Sequence, residues 1–356
     1  MNVVRTTVTK PFGLRVLLPG LMFLLAACTP KEEPVHHETI LAFGTLIEVS
    51  IVGVDETQAQ RGFDALRSDF NYMQEVWNPV KPNPVMRING LLQTGIPFSV
   101  APSTLPLIQR AQELSVASNG LFNPAIGKLI KLWGFQDDIR ENEIPPDNDK
   151  ILELVNQHPA MSDIIINGIT LQGKNPAVSL DFGAFAKGYG VDVGIKHLRD
   201  LGIHNAIINA GGDLRAIGKR GHRPWRIGIR DPRKEGVIAS IDMGEDESIF
   251  TSGDYERFFE YEGKRYHHII DPRTGYPAEH TRSVTVIHTN GAEADAAATA
   301  LFVAGPKEWH TIAKALNIKY VMLIDNNGVV HMNPAMAKRI QFEVTPVPEI
   351  HLSPPL

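Results

Sequence analysis

Asp295 and Thr299 lie four positions apart in an alanine-rich segment, residues 293–301. On a helix this spacing places a carboxylate and a hydroxyl on one face, and the small alanines let another backbone come close. Two such oxygens suit Mg²⁺, which shares its coordination with water and substrate phosphates. The pair is therefore a candidate magnesium site. Taken alone, the pattern is more often an acidic residue in a first helical turn followed by a packed threonine.

A second segment, residues 179–192, carries Asp181 at the end of a predicted strand, then a glycine turn and the start of a helix that includes Lys187. The free N–H groups and positive dipole end of a helix N-terminus suit a phosphate. The segment is not a P-loop, because Tyr189 follows Gly188 where a lysine is required, and no GxGxxG is present. By spacing alone, these glycines more often serve packing.

Two further segments end strands in polar turns. Gly211 and Gly212 follow an apolar strand, where a glycine pair permits either a tight turn or close approach of a ligand to the backbone. His267 and His268 are adjacent on a predicted strand, so their side chains alternate and at most one reaches a given site. No HExxH motif occurs, which gives a zinc hydrolase little support. His268 is thus a candidate site residue or a buried, hydrogen-bonded core histidine.

The elements that position these residues alternate between strand-like and helix-like stretches without a repeat, which predicts an α+β fold rather than regular βαβ units. Residues 40–52 read as one strand, and Asp55 caps a helix whose apolar residues recur at three and four positions up to Trp77. We expect mixed or antiparallel sheets packed with helices, and a loose tail from Pro346. Further helices are predicted over 103–118, 185–201, 293–303 and 306–316, a strand over 177–181, and hairpins at 262–263 and 327–328.

The N-terminal residues have the composition of a secretory signal. Arg5, Lys10 and Arg15 precede an apolar run over 16–27 that is too short to span a bilayer, which needs roughly 20 residues. The run ends in Leu25-Ala26-Ala27-Cys28, which resembles the lipobox of bacterial lipoproteins. Cys28 is the only cysteine, so an internal disulfide is impossible, and we expect this residue to be lipidated; the alternative is a plain secretory peptide. A net charge of −5 without a basic block argues against nucleic-acid binding.

Together the segments resemble the FAD:protein FMN transferases, the ApbE family. Phe43-Gly44-Thr45 and residues 132–135 match as well, although Phe43, Trp77 and Asn123 replace the methionine, tyrosine and aspartate that are common there. The resemblance implies a signal peptide over 1–27, a tether over 28–38, one catalytic domain over 39–345 with a T-fold-like architecture, and a tail over 346–356. The matching motifs occur in the family's order at residues 181–192, 209–213, 251–255, 268–275 and 294–301.

The resemblance also implies an activity and a site. The enzyme would move the FMN half of FAD to a threonine hydroxyl of an acceptor protein and release AMP. Mg²⁺ would be held by the carbonyl of Ala184 and the side chains of Asp295 and Thr299, with Lys187 and His268 as catalytic residues. FAD would be bound by the residues Phe43, Trp77, Leu121, Phe122, Asn123, Asp181, Lys187, Gly211, Gly212, Ile270 and Asp271.

The same resemblance suggests where the enzyme works. Its acceptors would be subunits of Na⁺-translocating NADH:quinone reductase or Rnf-type complexes, met on the periplasmic side of a membrane, with the inner membrane favoured. Two alternatives remain from the sequence: an FAD pyrophosphatase that gives FMN and AMP, and a tethered flavin-binding lipoprotein without turnover. The intact Asp295 and Thr299 pair argues against the second, because a carrier needs no metal.

Overall fold

The computed structural model describes residues 33–78, 82–136 and 143–356. The predicted signal peptide and Cys28 lie outside these residues. The helices are α1 (Glu56–Trp77), α2 (Pro84–Leu92), α3 (Leu105–Ala117), α4 (Gly127–Leu132), α5 (Asn148–Val155), α6 (Ala186–Asp200), α7 (Gly291–Ala315) and α8 (Pro334–Ala337). The strands are β1 (Val35–Ala42), β2 (Thr45–Val52), β3 (Phe98–Ser99), β4 (Ile164–Asn167), β5 (Thr170–Gly173), β6 (Ala206–Ala210), β7 (Asp213–Ile217), β8 (Arg226–Arg230), β9 (Val237–Asp242), β10 (Asp246–Gly253), β11 (Phe258–Tyr261), β12 (Lys264–His267), β13 (Thr281–His288), β14 (Tyr320–Asp325), β15 (Val330–Met332), β16 (Gln341–Phe342) and β17 (Ile350–Leu352).

A sheet in the order β1-β2-β6-β7-β10-β13-β14-β15-β17 forms the centre of the fold. Its pairs are antiparallel except β15 with β17, which is parallel. Both faces are covered: Phe250 and Val286 point into the core beneath α1, α6 and α7, whereas Ile249 and Ile287 pack into a second core with β8 and β9. Strands buried on both faces carry near-continuous apolar runs instead of alternation. This mixed α+β architecture confirms the predicted fold class.

Helix α1 follows its local sequence signals closely. The Asp55 side chain accepts a hydrogen bond from the Gln58 N–H at 2.8 Å, which caps the helix as predicted. Its predicted apolar stripe, from Phe63 to Trp77, is buried against the sheet and α6. These signals are local, so tertiary contacts do not alter them.

The strand predicted over residues 40–52 is instead a hairpin of β1 and β2. The chain reverses at Phe43 and Gly44, both with positive φ, at 54° and 70°. A phenylalanine in this conformation is not a usual turn signal, because positive φ strains residues with a Cβ. Because the apolar pattern continues across the turn, nothing in the sequence indicated that the chain reverses here.

Two other regions differ from the sequence-based expectation. Residues 177–181 form only an isolated bridge between Ser179 and Ile126, not a strand. The tail predicted to be loose contains β17, which pairs with β15. The two helices predicted over 293–303 and 306–316 are confirmed, because α7 is interrupted by non-helical backbone at Gly305, where φ is 67°. Among the described residues no helix is long and apolar enough to cross a membrane.

Candidate active site

The first turn of α7 is fastened to α6 by a carboxylate from that helix. Asp192 accepts hydrogen bonds from the N–H groups of Gly291 at 2.8 Å and Ala292 at 3.0 Å, and it also forms an ion pair with Arg215. Asn290 caps the same turn through Glu293 N–H at 2.9 Å. These bonds satisfy donors that a helix N-terminus otherwise leaves unpaired. They fix the position of the next helical turn, which carries Asp295.

Asp295 is buried between the two helices, with 6% of its surface exposed. Its Oδ2 accepts the Gly188 N–H at 2.9 Å, and its Oδ1 has no hydrogen-bond partner among the described residues. Burial, together with the charges of Asp213 and Asp192, raises the pKa of Asp295 above its ordinary value, although Lys187 opposes the shift. Nearby positive groups therefore balance the negative charge of Asp295 only in part. A carboxylate in this state is suited to binding a cation.

The close contact of α6 with α7 depends on a glycine. A Cβ at Gly188 would collide with the carbonyl oxygen of Gly291, so no larger residue fits here without moving a helix. The contact also changes the expectation for phosphate binding. The N–H groups of Ala186 and Gly188 are already bonded to Phe182 and Asp295. These bonds and the close contact favour packing, the more common role of such glycines, over an open phosphate site at the α6 N-terminus.

The three predicted metal-binding positions lie along this contact. Thr299 follows Asp295 by one turn, and its Oγ1 lies 3.3 Å from the Ser252 hydroxyl. Ala184 stands in the turn just before α6. Among the described residues no group of three or more His, Cys, Asp or Glu side chains is arranged to hold a metal. One carboxylate, one hydroxyl and one carbonyl are hard oxygen donors, and this set fits Mg²⁺ that also binds substrate phosphates.

Lys187 is held by a buried carboxylate that the sequence analysis did not single out. Its ammonium forms an ion pair with Oδ2 of Asp213, which is 5% exposed. The other oxygen of Asp213 accepts the Thr251 N–H at 2.9 Å. Burial lowers the pKa of Lys187, but Asp213 and Asp295 outweigh it and raise that pKa above its ordinary value. The lysine is therefore charged at neutral pH.

The predicted glycine pair delivers Asp213 to this position. Gly211 and Gly212 have φ of 69° and 101° and join β6 to β7. A Cβ at Gly211 would lie 2.5 Å from Oγ1 of Thr45, whereas the space around Gly212 is open. Gly211 thus serves close packing. The Gly212 N–H donates to Asn209 Oδ1 at 2.8 Å, which completes the tight turn, and approach of a ligand to this backbone stays a prediction.

His268 follows β12 and is partly exposed. Its Nδ1 lies 3.2 Å from the carbonyl oxygen of Arg257, which can only accept, so Nδ1 carries the proton and Nε2 keeps its lone pair. Burial, followed by the positive charge of Arg257, lowers the pKa of His268 well below its ordinary value. The imidazole is neutral at pH 7. His267 has different surroundings: it is buried and its Nε2 bonds the Ala278 carbonyl at 2.8 Å.

Asp181 and Asn123 hold the loops on the other side of this region. Asp181 accepts the Gly183 N–H at 2.8 Å and the Gln136 amide at 2.7 Å. Asn123 accepts the Ala125 N–H at 3.1 Å and donates to Pro159 at 2.8 Å. Asp181 also lies close enough to Arg257 to oppose the lowering of that residue's pKa by burial. The structure therefore groups Asp181 with the loop that carries His268.

Phe43 and Trp77 form an aromatic cluster against α6. Their rings are nearly parallel, at 9°, with centroids 6.1 Å apart, and the Tyr189 ring meets Trp77 edge-on at 5.6 Å. The Phe43 N–H donates to Gln74 at 2.6 Å, which holds the unusual turn in place. A Cβ at Gly190 would lie 3.1 Å from the Phe43 ring. The predicted flavin contacts Phe43 and Trp77 are thus adjacent to each other and pack against α6, the helix that carries Lys187.

Four other predicted FAD contacts take part in the packing or the turns of the fold. Leu121 and Phe122 are 5% and 1% exposed and belong to the main core. Ile270 packs with Trp133 in a third apolar cluster. Asp271 pairs with Arg273 and accepts its N–H at 2.9 Å, which builds a tight turn. These side chains are occupied by packing and turn formation, which spacing alone could not distinguish from ligand contacts.

Comparison with known proteins places these features in one family. The profile of the ApbE family matches residues 43–322. The FAD:protein FMN transferase of Rhodobacter capsulatus is 39% identical over 337 residues, covering 95% of this chain, which spans 63% of that protein's length. The Vibrio cholerae FAD:protein FMN transferase is 33% identical, covering 85% of this chain and 91% of its own length.

Solved structures agree with the sequence comparison. The Thermotoga maritima ApbE protein superposes with a TM-score of 0.77 at 29% identity, covering 83% of this chain and 96% of its own. The apo form of the Pseudomonas stutzeri flavinyl transferase ApbE gives a TM-score of 0.77 at 27% identity, with coverages of 88% and 98%. The family and the fold predicted from the sequence are confirmed: this chain belongs to the ApbE family.

Proposed function

We propose that this chain is an FAD:protein FMN transferase, which moves FMN from FAD to a threonine hydroxyl of an acceptor protein and releases AMP. Curated relatives that share the fold and most of the chain bear this enzyme name. The observation that carries the proposal is the convergence of charged Lys187 with buried, incompletely compensated Asp295 where α6 meets α7. Cleavage of a pyrophosphate requires positive charge beside its negative oxygens. Asp295 is itself negative, so it contributes positive charge only by holding a cation.

Mg²⁺, held by Asp295, Thr299 and the Ala184 carbonyl, would neutralise charge on the FAD phosphates when bound. The chain's own contribution is the Lys187 ammonium. Asp213 holds the ammonium and is itself held by the Thr251 N–H. The lysine side chain is therefore already ordered when the substrate binds. Lys187 therefore orients the pyrophosphate and stabilises the charge that develops as the bond breaks.

The transfer itself forms one bond and breaks one. The acceptor hydroxyl oxygen bonds to the FMN-side phosphorus, the bond from that phosphorus to the AMP oxygen breaks, and the hydroxyl proton leaves. Neutral His268, with Nε2 unprotonated, would accept this proton. The anionic phosphates of FAD would offset the charge of Arg257 and so make the imidazole a stronger base.

The isoalloxazine ring would lie against half-buried Phe43, with buried Trp77 stacked parallel behind it. Asp181 and the exposed backbone of Gly212 would supply polar contacts. Gly190 leaves room for the Phe43 ring, since a Cβ there would lie 3.1 Å from it. Flavin binding therefore depends on the same helix, α6, that positions Lys187.

The proposal includes a location and partners. Lipidation at Cys28 would hold the enzyme on the periplasmic face of a membrane, with the inner membrane favoured. Tethering would raise its effective concentration toward membrane-bound acceptors such as subunits of Na⁺-translocating NADH:quinone reductase or Rnf-type complexes. This part is supported by the sequence of the first 28 residues and by the family resemblance.

The experiment is incubation of the purified protein with FAD, Mg²⁺ and an acceptor domain, followed by intact mass and AMP measurement. We expect one FMN mass added to the acceptor for each AMP released. An acceptor with alanine in place of its threonine should gain no mass. AMP release at the same rate without any mass gain on the native acceptor would reject the transferase and identify an FAD pyrophosphatase.

A further inference from the structure

A cleft of about 610 Å³ is lined by residues of β12 and by the segment 276–282. Its lining carries more positive than negative charge, although the chain as a whole has a net charge of −5. The carboxylates in the lining are Asp254 and Glu279. The cationic side chains are Arg233, Lys264, Arg265 and Arg282.

One guanidinium in this lining is incompletely paired. Arg282 donates through Nη2 to the Asn326 carbonyl, but its buried Nε has no hydrogen-bond partner among the described residues. Burial, followed by the like charge of Arg233, lowers the pKa of Arg282. A buried donor without a partner costs free energy. A carboxylate in the cleft would allow this side chain to turn and complete its hydrogen bonds.

Two further cations of the cleft, Lys264 and Arg265, form ion pairs in which a ligand carboxylate can replace the protein's own. Lys264 pairs with Glu279 at 2.8 Å and Arg265 with Glu260 at 3.1 Å, in both cases between exposed or half-exposed side chains. Surface pairs of this kind contribute little stability. An incoming acidic chain can therefore compete for these cations at small cost. Arg233 is different, because it binds both oxygens of buried Asp254.

The cleft is close to the reaction centre along two chain segments. Asp254 follows Ser252 by two residues, and the Ser252 hydroxyl lies 3.3 Å from that of Thr299. His267 lines the cleft and immediately precedes His268. An extended chain advances about 3.3 Å per residue. Because consecutive Cα atoms are about 3.8 Å apart, the lining of the cleft begins one residue from His268. A peptide whose threonine lies at His268 can therefore extend into the cleft.

We propose that this basic cleft binds an acidic segment of the acceptor protein adjacent to the threonine that receives FMN. The proposal rests on the proposed transferase function, and it adds the substrate property that the enzyme recognises. The cleft would supply selectivity for acceptors through charge, while the chemistry takes place beside His268 and Lys187.

The test uses two labelled synthetic peptides, each with one threonine, flanked by aspartates in one and by asparagines in the other. Fluorescence anisotropy at low ionic strength should show the aspartate peptide binding about tenfold more tightly, with the advantage shrinking as salt rises. The Lys264→Gln/Arg265→Gln protein should lose this preference. The Lys196→Gln/Arg199→Gln protein, which removes two paired charges on α6, should keep it.

Equal binding of the two peptides by the unmodified protein, or a preference that survives Lys264→Gln/Arg265→Gln, would overturn the proposal. Binding of phosphatidylglycerol vesicles that depends on Lys264 and Arg265, without any peptide preference, would assign the cleft to an anionic membrane surface instead. Peptide binding does not require turnover. Failure of FMN transfer with intact peptide preference would therefore count against the proposed function and not against the cleft.

Discussion

The carboxylate of Asp213 holds the ammonium of Lys187 in an ion pair that joins β7 to α6. Because the other oxygen of Asp213 is bonded to Thr251 on β10, the central sheet sets the position of a lysine that belongs to a helix. A lysine side chain is otherwise flexible, and fixing it costs conformational entropy. Asp213 thus orders Lys187 before substrate binds and keeps it charged.

Replacing Asp213 should separate these roles from folding. Asp213→Asn keeps an oxygen for the Thr251 N–H but removes the charge that raises the pKa of Lys187. We expect a folded protein whose FMN transfer slows about tenfold or more. The alkaline fall of its rate should move to lower pH, since Lys187 loses its proton more easily. A pH–rate profile identical to that of the unmodified protein would contradict this assignment.

The burial of Asp295 predicts opposite effects on stability and activity. Its pKa is raised in the folded protein, so the protonated carboxyl group stabilises the fold relative to the carboxylate. This contribution is fully present below the unfolded pKa and is lost as pH rises through the folded pKa. At pH 8 without metal, Asp295→Asn should therefore be more stable by about 1–3 kcal/mol, and the difference should vanish in acid. FMN transfer should be abolished.

Denaturant melts at pH 8 and pH 4 measure the first effect, and Mg²⁺ titration of AMP release measures the second. Asp242→Asn is the matched control, because within the described part of the chain this half-exposed carboxylate has one ionic partner, Arg226, at 3.6 Å. A metal-free Asp295→Asn protein less stable than its parent at pH 8 would show that the carboxylate is compensated better than its surroundings indicate.

The sequence predicted contacts between residues that are close along the chain, and it did not predict contacts between residues that are far apart along the chain. Asp295 and Thr299 share one helix, so their spacing alone placed them on one face. Asp192 and Asp213 act on partners that are distant in sequence, Gly291 and Thr251, and nothing local marks either carboxylate as a cap or a lysine anchor. Both residues lie in motifs that resemble the family, but the resemblance did not indicate that one caps a helix and the other holds a lysine. The β1–β2 turn was missed because a phenylalanine fills the position.

Membrane attachment is tested at the sole cysteine, which lies outside the described residues. Cys28→Ser should leave the enzyme in the soluble fraction, whereas the unmodified protein should stay with membranes after a high-salt wash. Mass spectrometry of the mature chain should begin at residue 28 and carry acyl groups. A Cys28→Ser protein that remains membrane-bound would remove the lipid anchor from the proposal while leaving the catalytic site unaffected.

His268 is the position at which proton transfer can be tested without disturbing FAD. His268→Asn retains a donor near the Arg257 carbonyl but lacks Nε2, so transfer should slow by about 10²- to 10⁴-fold while FAD affinity is kept. Added imidazole should restore part of the rate. Because the pKa of His268 is lowered in the free protein, kcat/KM for FAD should hold steady as pH falls through 6.5 and decline only in more acidic solution. His310→Asn, a change to a partly exposed histidine that contacts Pro354, is the control and should transfer normally. A His268→Asn protein with an undiminished rate would assign the acceptor proton to another group.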